Sequence, residues 1–215
     1  MSVKSEITPV AVFKDLCLDT TRPEEVGPYW RDLLHRRGER QPGGDWVLRG
    51  DRPEETLWVN TVPERKTVTS RVHLDVRVAD HAGPARWEVR HDPDGLDWCA
   101  FAPKGGTGVY ELCVDAVDAR AIAEWWGERT GASVHNDGHD WWWLEGAAGF
   151  PYDYWVFNPV PEPKTVKNRM HWDVVADAGA LVSAGARVLA ELPSWTVLAD
   201  PEGNEFCAFT PGSAG

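Results

Sequence analysis

The chain lacks any run of apolar residues approaching the roughly 18 that a transmembrane helix needs, so none is expected. No apolar run follows the lysine of Met1-Ser2-Val3-Lys4-Ser5-Glu6 either, which removes the secretory-signal pattern and makes a cytoplasmic location the expectation. Cations are scarce: 22 Lys and Arg stand against 34 Asp and Glu, a formal net charge of −12. A surface of that sign repels phosphate backbones and anionic lipid, so neither nucleic acid nor a membrane is expected as a partner. Cysteine is limited to four residues, which without an export signal read as reduced thiols. Gly-rich phosphate loops, a Gly-x-Ser-x-Gly elbow and a Cys-x-x-Cys pair are all missing. Nucleotide, serine-hydrolase and dithiol chemistry therefore have no support.

What the chain has in excess is tryptophan, 13 residues in 215. Tryptophan needs a partner for its N–H in a core and suits the walls of ligand pockets, so both uses are expected.

The chain is also written twice. Val62-Pro63-Glu64-Arg65-Lys66-Thr67-Val68 recurs as Val160-Pro161-Glu162-Pro163-Lys164-Thr165-Val166, and Arg71-Val72-His73-Leu74-Asp75-Val76 as Arg169-Met170-His171-Trp172-Asp173-Val174, both at an offset of 98. Leu16-Cys17-Leu18-Asp19 matches Leu112-Cys113-Val114-Asp115 at offset 96. Cys99-Ala100-Phe101 matches Cys207-Ala208-Phe209 at offset 108. The jump from 98 to 108 falls between Asp173 and Trp195, where Ala178–Ala186 reads as a short helix. The first copy has His81-Ala82-Gly83-Pro84 there instead, and Gly-Pro argues that this helix is lost.

Alternation places strands at 11–20, 45–49, 55–62 and 70–78, with their counterparts at 109–117, 140–145, 152–158 and 169–176. Helices follow the first strand of each copy, at 23–36 and 118–130. Each copy closes with two strands joined by Asp-Pro-x-Gly, where Asp92 and Asp200 read as turn formers. Leu16 and Leu18 oppose Asp15, Cys17 and Asp19; Tyr110, Leu112 and Val114 oppose Glu111, Cys113 and Asp115; Leu74 and Val76 oppose His73, Asp75 and Arg77. One sheet face thus covers helices, while the other gathers acids, histidines and cysteines in a cavity or on a merely wetted surface.

The paired β-α-β-β-β pattern, the stretch 160–173 and the ending Trp195-Thr196-Val197-Leu198-Ala199-Asp200-Pro201-Glu202-Gly203 resemble the glyoxalase-like domains of the vicinal oxygen chelate superfamily. The resemblance implies an α+β fold of tandem βαβββ modules, with curved sheets forming cups, and two glyoxalase-like domains at 10–105 and 107–212. Metal-dependent members of that superfamily take ligands from the first, fourth, fifth and eighth strands. The first-strand position falls on Asp15 and Glu111, and the fifth-strand position on His73 and His171. The eighth-strand glutamate is replaced by Cys99 and Cys207, and the fourth-strand position lies near Glu55 or Asp153. The implied metal sets are Asp15, His73 and Cys99, and Glu111, His171 and Cys207, suited to zinc, iron, nickel or manganese.

One imidazole and one acid per cup fall short of a two-histidine, one-carboxylate iron site, and cysteine favours zinc if any metal. The favoured expectation is therefore a binder of a small aromatic or polar organic molecule, by sequestration or metal-free catalysis, with no tightly held cofactor. Its ligand-binding residues are expected to be Asp15, His73, Glu111, Trp141, Trp143, Trp155, His171 and Asp173; His171, Glu111, His73 and Asp15 are also the catalytic candidates. The better site is expected in the second copy, with Glu111, His171 and the tryptophans of 141–143 together. Alternatives are a divalent-metal lyase, isomerase or dioxygenase, and a non-catalytic scaffold. Lys164, Lys167 and Arg169 form a basic cluster that reads as a solvated loop or an anion dock. A monomer or a homodimer is compatible with the pattern.

Overall fold

A computed structural model describes residues 8–81 and 83–212. The first repeat runs β1 (Ala11–Thr20), α1 (Pro23–Leu33), β2 (Arg37–Arg40), β3 (Trp46–Arg49), β4 (Leu57–Thr61), β5 (Val72–Arg77), β6 (Trp87–His91) and β7 (Asp97–Phe101). The second runs β8 (Gly108–Ala116), α2 (Ala119–Thr130), β9 (Ser133–His135), β10 (Trp142–Glu145), β11 (Tyr154–Pro159), β12 (Met170–Ala176), α3 (Ala178–Ser183), β13 (Arg187–Glu191), β14 (Trp195–Ala199) and β15 (Glu205–Phe209). The helix expected only in the second repeat is α3, capped by Asp177 accepting from the Ala180 amide at 2.8 Å. Among the described residues of 78–86 there is neither a helix nor a strand, so the first repeat lacks a counterpart of β13 as well. The strands β2, β9 and β13 are not expected from the sequence because they are only three to five residues long, and none buries an alternating apolar face.

The strands form two sheets that do not follow the repeats. The eight-stranded sheet is ordered β13-β14-β15-β12-β1-β4-β3-β2, and the seven-stranded sheet β6-β7-β5-β8-β11-β10-β9. Each joins a half of one repeat to a half of the other through an antiparallel seam, β1 with β12 and β5 with β8. Segments 62–71 and 160–169 carry the chain from one sheet to the other. The boundary expected between 105 and 107 falls in the connection from β7 to β8, inside the seven-stranded sheet.

The leucine-bearing faces of both sheets share one core, with α1 and α2 between them. Trp126 on α2 shows the arrangement: its ring meets Trp155 of one sheet at 5.1 Å, and Trp172 and Phe206 of the other at 5.3 and 5.0 Å. Both helices are pinned by a repeated device. Trp30 Nε1 donates to Asp92 at 3.1 Å and Trp126 Nε1 to Asp200 at 3.2 Å, while each aspartate also accepts amides of its own turn. Asp92 and Asp200 are thus turn formers that also satisfy a buried indole. With the apolar faces joined in this core, the faces bearing acids, histidines and cysteines turn outward, one per sheet.

Candidate functional site

Each seam sets the polar residues of two strands opposite one another. In the eight-stranded sheet Asp15 lies opposite Asp173 and Cys17 opposite His171, with Cys207 beside Asp173 on β15. In the seven-stranded sheet Glu111 lies opposite Asp75 and Cys113 opposite His73, with Cys99 beside Asp75 on β7. The expected partnerships are therefore exchanged: Asp15 joins His171 and Cys207, while Glu111 joins His73 and Cys99. The sets Asp15–His73–Cys99 and Glu111–His171–Cys207 do not exist as clusters, because the seams run between repeats rather than within them.

A bulge shapes each seam. Lys14 in β1 and Tyr110 in β8, equivalent at offset 96, have no partner in the ladder. The extra residue turns Lys14 to the same face as Asp15, where its ammonium meets the carboxylate at 2.6 Å. It likewise turns Tyr110 to the face of Glu111, against the expectation that Tyr110 would side with Leu112. The sequence carried a signal of this: Phe13 and Leu16, and Val109 and Leu112, are apolar residues three apart in strands, with two polar-face residues between.

Electrostatics distinguishes the cups. In the first, burial, reinforced by the charge of Asp15, pushes the Asp173 carboxyl up to about 8. In the second, burial and Asp75 push Glu111 up to about 8. Two carboxyls facing each other in a dry site cannot both ionise, so each pair keeps a proton or accepts a cation. The buried oxygens Asp15 Oδ1, Asp173 Oδ1 and Asp75 Oδ1 accept no hydrogen bond, as expected if such a proton or cation belongs there. Burial pulls the His171 pKa below its ordinary value, the nearby Asp19 working against this and Lys167 with it. Burial works against the charge of His73 too, but the neighbouring Cys113, Asp75 and Cys99 side chains prevail and raise its pKa above the ordinary value. The Nε2 of His73 sits 3.4 Å from Asp75, and that of His171 3.7 Å from Asp173. Burial pushes all four thiols up, so they are protonated.

The cups also differ in access and lining. In the first, Asp15, Cys17, Asp173 and Cys207 are buried, His171 keeps partial exposure, and Trp58 Nε1 donates to Asp15 at 3.1 Å. In the second, Asp75 and Cys113 are buried, while Glu111 and Cys99 are partly exposed along with His73. Above them a chain of rings crosses the sheet: Trp87 stacks on Phe101 at 6.1 Å, Phe101 meets Tyr110 at 5.7 Å, Tyr110 meets Tyr154 at 5.8 Å, and Tyr154 meets Trp143 at 6.4 Å. The Arg77 guanidinium lies 3.8 Å over Tyr110 and pairs with Asp153 at 3.1 Å.

Of the tryptophans expected at a ligand, Trp143 alone joins this wall. Trp141 stacks on His139 in the turn before β10, at 4.2 Å. Trp155 is fully buried in the core between α2 and Phe150, because in β11 the residues facing the cup are its neighbours Tyr154 and Val156. Glu55 accepts a hydrogen bond from the Asp51 amide at 2.9 Å, within its own turn. The basic cluster is engaged internally: Lys164 pairs with Glu205 at 2.6 Å, Lys167 with Asp19, and Arg169 with Asp94 at 3.2 Å. A cleft of about 670 Å³ lies between segments 64–71 and 160–169, outside both cups. It holds no histidine or cysteine, so the cups remain the chemical candidates.

For a metal, one ligand atom from each of His73, Asp75 and Cys113 lies within 4.8 Å of the others, and the same holds for Cys17, His171 and Asp173. Thiol, imidazole and carboxylate together fit a borderline-soft divalent ion such as zinc better than a hard one, and binding would release thiol protons.

No curated protein matches the chain significantly. Among solved structures, glyoxalase I from Zea mays is similar with a TM-score of 0.63 and 11% identity, covering 93% of this chain and 92% of that one. A putative dioxygenase from Bacillus subtilis gives 0.64 and 11%, covering 96% and 87%. The cppA protein from Streptococcus pneumoniae gives 0.52 and 10%, covering 96% and 99%. At such identities the likeness establishes the fold alone. The family model of the glyoxalase-like domain matches residues 15–89 and 111–209, and the chain belongs to this family, within the vicinal oxygen chelate superfamily.

Proposed function

We propose that the chain binds a small planar organic molecule in the cup of the seven-stranded sheet. The observation carrying this reading is the ring chain from Trp87 to Trp143 standing over the partly exposed Glu111 and His73, with Asp75 buried between them. Aromatic walls supply stacking, while the proton-sharing carboxyl pair and the imidazole offer both a donor and acceptors for a polar substituent. The same groups can move a proton, since Glu111 titrates near neutrality, so metal-free catalysis on the bound molecule is compatible with the site.

The His73–Asp75–Cys113 and Cys17–His171–Asp173 clusters favour a second reading, a zinc-type centre in one or both cups. Zinc there would act as a Lewis acid on a substrate oxygen, and Glu111 or Asp15 would remain to hold or move a proton.

A screen of planar aromatic compounds by tryptophan fluorescence tests the first reading, because Trp87 and Trp143 flank the site. Glu111→Gln and His73→Ala should each weaken a hit by about 2- to 100-fold, corresponding to roughly 0.5–3 kcal/mol. His171→Ala, in the other cup, should leave it unchanged. Loss of binding in His171→Ala with none in His73→Ala would move the site to the eight-stranded sheet.

A further inference from the structure

We infer that β6 is a pairing edge for a second copy of this chain, joining two seven-stranded sheets across a twofold axis. Among the described residues the two sheets have four open edges, and three are short or irregular. β2 is four residues long, β9 is three residues long, and β13 has a bulge between Val188 and Ala190. β6 is five residues long, pairs with β7 without a register shift, and exposes Trp87 at 49% and Val89 at 58%.

The chain itself shows what covers such an edge. β14 is the counterpart of β6 at offset 108, and its outer side is paired antiparallel with β13. The first repeat has no such strand among its described residues, so the same side of β6 is left open. The hairpin turn fixes which groups face outward. The Asp92 amide donates to the Leu96 carbonyl at 3.0 Å, and antiparallel hydrogen bonding alternates from there. The Arg90–Trp98 and Glu88–Ala100 pairs are thereby turned inward, leaving the N–H and C=O groups of Trp87, Val89 and His91 on the open side.

The occupant follows from self-complementarity. An antiparallel pairing centred on Val89 sets Val89 against its own copy and Glu88 against the partner's Arg90. It also sets Trp87 against the partner's His91. Within one chain Arg90 already meets Glu88 and, at 2.9 Å, Asp80, and the pairing adds a contact between each Arg90 and the Glu88 of the other copy. The contact is isologous and closes at two copies, so it does not propagate into a fibre. Trp87 and the partner's His91 fall on the concave face, which lengthens the ring chain of the cup with a residue from the other subunit.

The test is the mass of the full chain in solution, by light scattering after gel filtration and by sedimentation at about 1–50 µM. A dimer is expected. Val89→Pro deletes the amide on the axis at an edge position that tolerates proline, and should give a monomer with unchanged circular dichroism. Glu88→Arg alone and Arg90→Glu alone should each weaken the dimer at least tenfold, while the double exchange restores it. A monomeric wild type at 50 µM, or a dimer indifferent to Val89→Pro and to the charge exchanges, would overturn the inference.

Discussion

Replacing Glu111 by glutamine should change how stability depends on pH. Glu111 has an ordinary value of 4.5 and is raised to about 8 by burial and by Asp75. In the folded chain it stays protonated where the unfolded chain has already lost its proton. Its contribution is therefore fully present below about pH 4.5 and is lost as pH rises through about 8. At about 1.4 kcal/mol per pKa unit, that rise corresponds to at most roughly 5 kcal/mol. Glu111 keeps some solvent contact and shares its proton with Asp75, so about 1–3 kcal/mol is a realistic size. Glutamine cannot ionise. Urea unfolding at pH 5, 7 and 9 should show the variant gaining about 1–3 kcal/mol on wild type between pH 5 and 9. Glu145→Gln, at an exposed position, is the control. Parallel pH profiles for Glu111→Gln and wild type would refute the carboxyl pair.

Asp200→Ala removes acceptors for the Trp126 indole and the Asn204 amide, both buried, and should cost about 2–4 kcal/mol in chemical denaturation without altering ligand binding. Gly149→Ala should cost more than about 2 kcal/mol: φ is +76° and an added Cβ would lie 2.4 Å from the Phe13 carbonyl oxygen. Gly146→Ala, at φ +74° in open space, should cost only about 1 kcal/mol. Elemental analysis of protein purified without chelator separates the two functional readings. Substoichiometric metal is expected for the organic-ligand cup, whereas about one zinc per chain, lost on His73→Ala, would establish a metal centre there.

Much of the architecture was legible along the chain because it depends on local periods. Side chains alternate across a strand whatever lies beside it, so Leu16 and Leu18 could be separated from Asp15, Cys17 and Asp19 by reading alone. The repeat, the paired Asp-Pro-x-Gly turns and the helix kept only at Ala178–Ser183 were likewise readable. Which strand lies beside which is another matter, because a strand offers the same backbone groups to any neighbour. Only the tertiary structure decided that β1 pairs with β12 and β5 with β8, and this moved His171 to Asp15 and His73 to Glu111. The bulges at Lys14 and Tyr110 added residues to each cup that strict alternation assigns to the core. The tryptophans were sorted at the same level: one residue of register separates Trp155, under the helix, from Tyr154, in the cup. Sequence determined which faces are polar; long-range strand pairing, where the buried apolar faces of both sheets meet around α1 and α2, decided which polar residues meet.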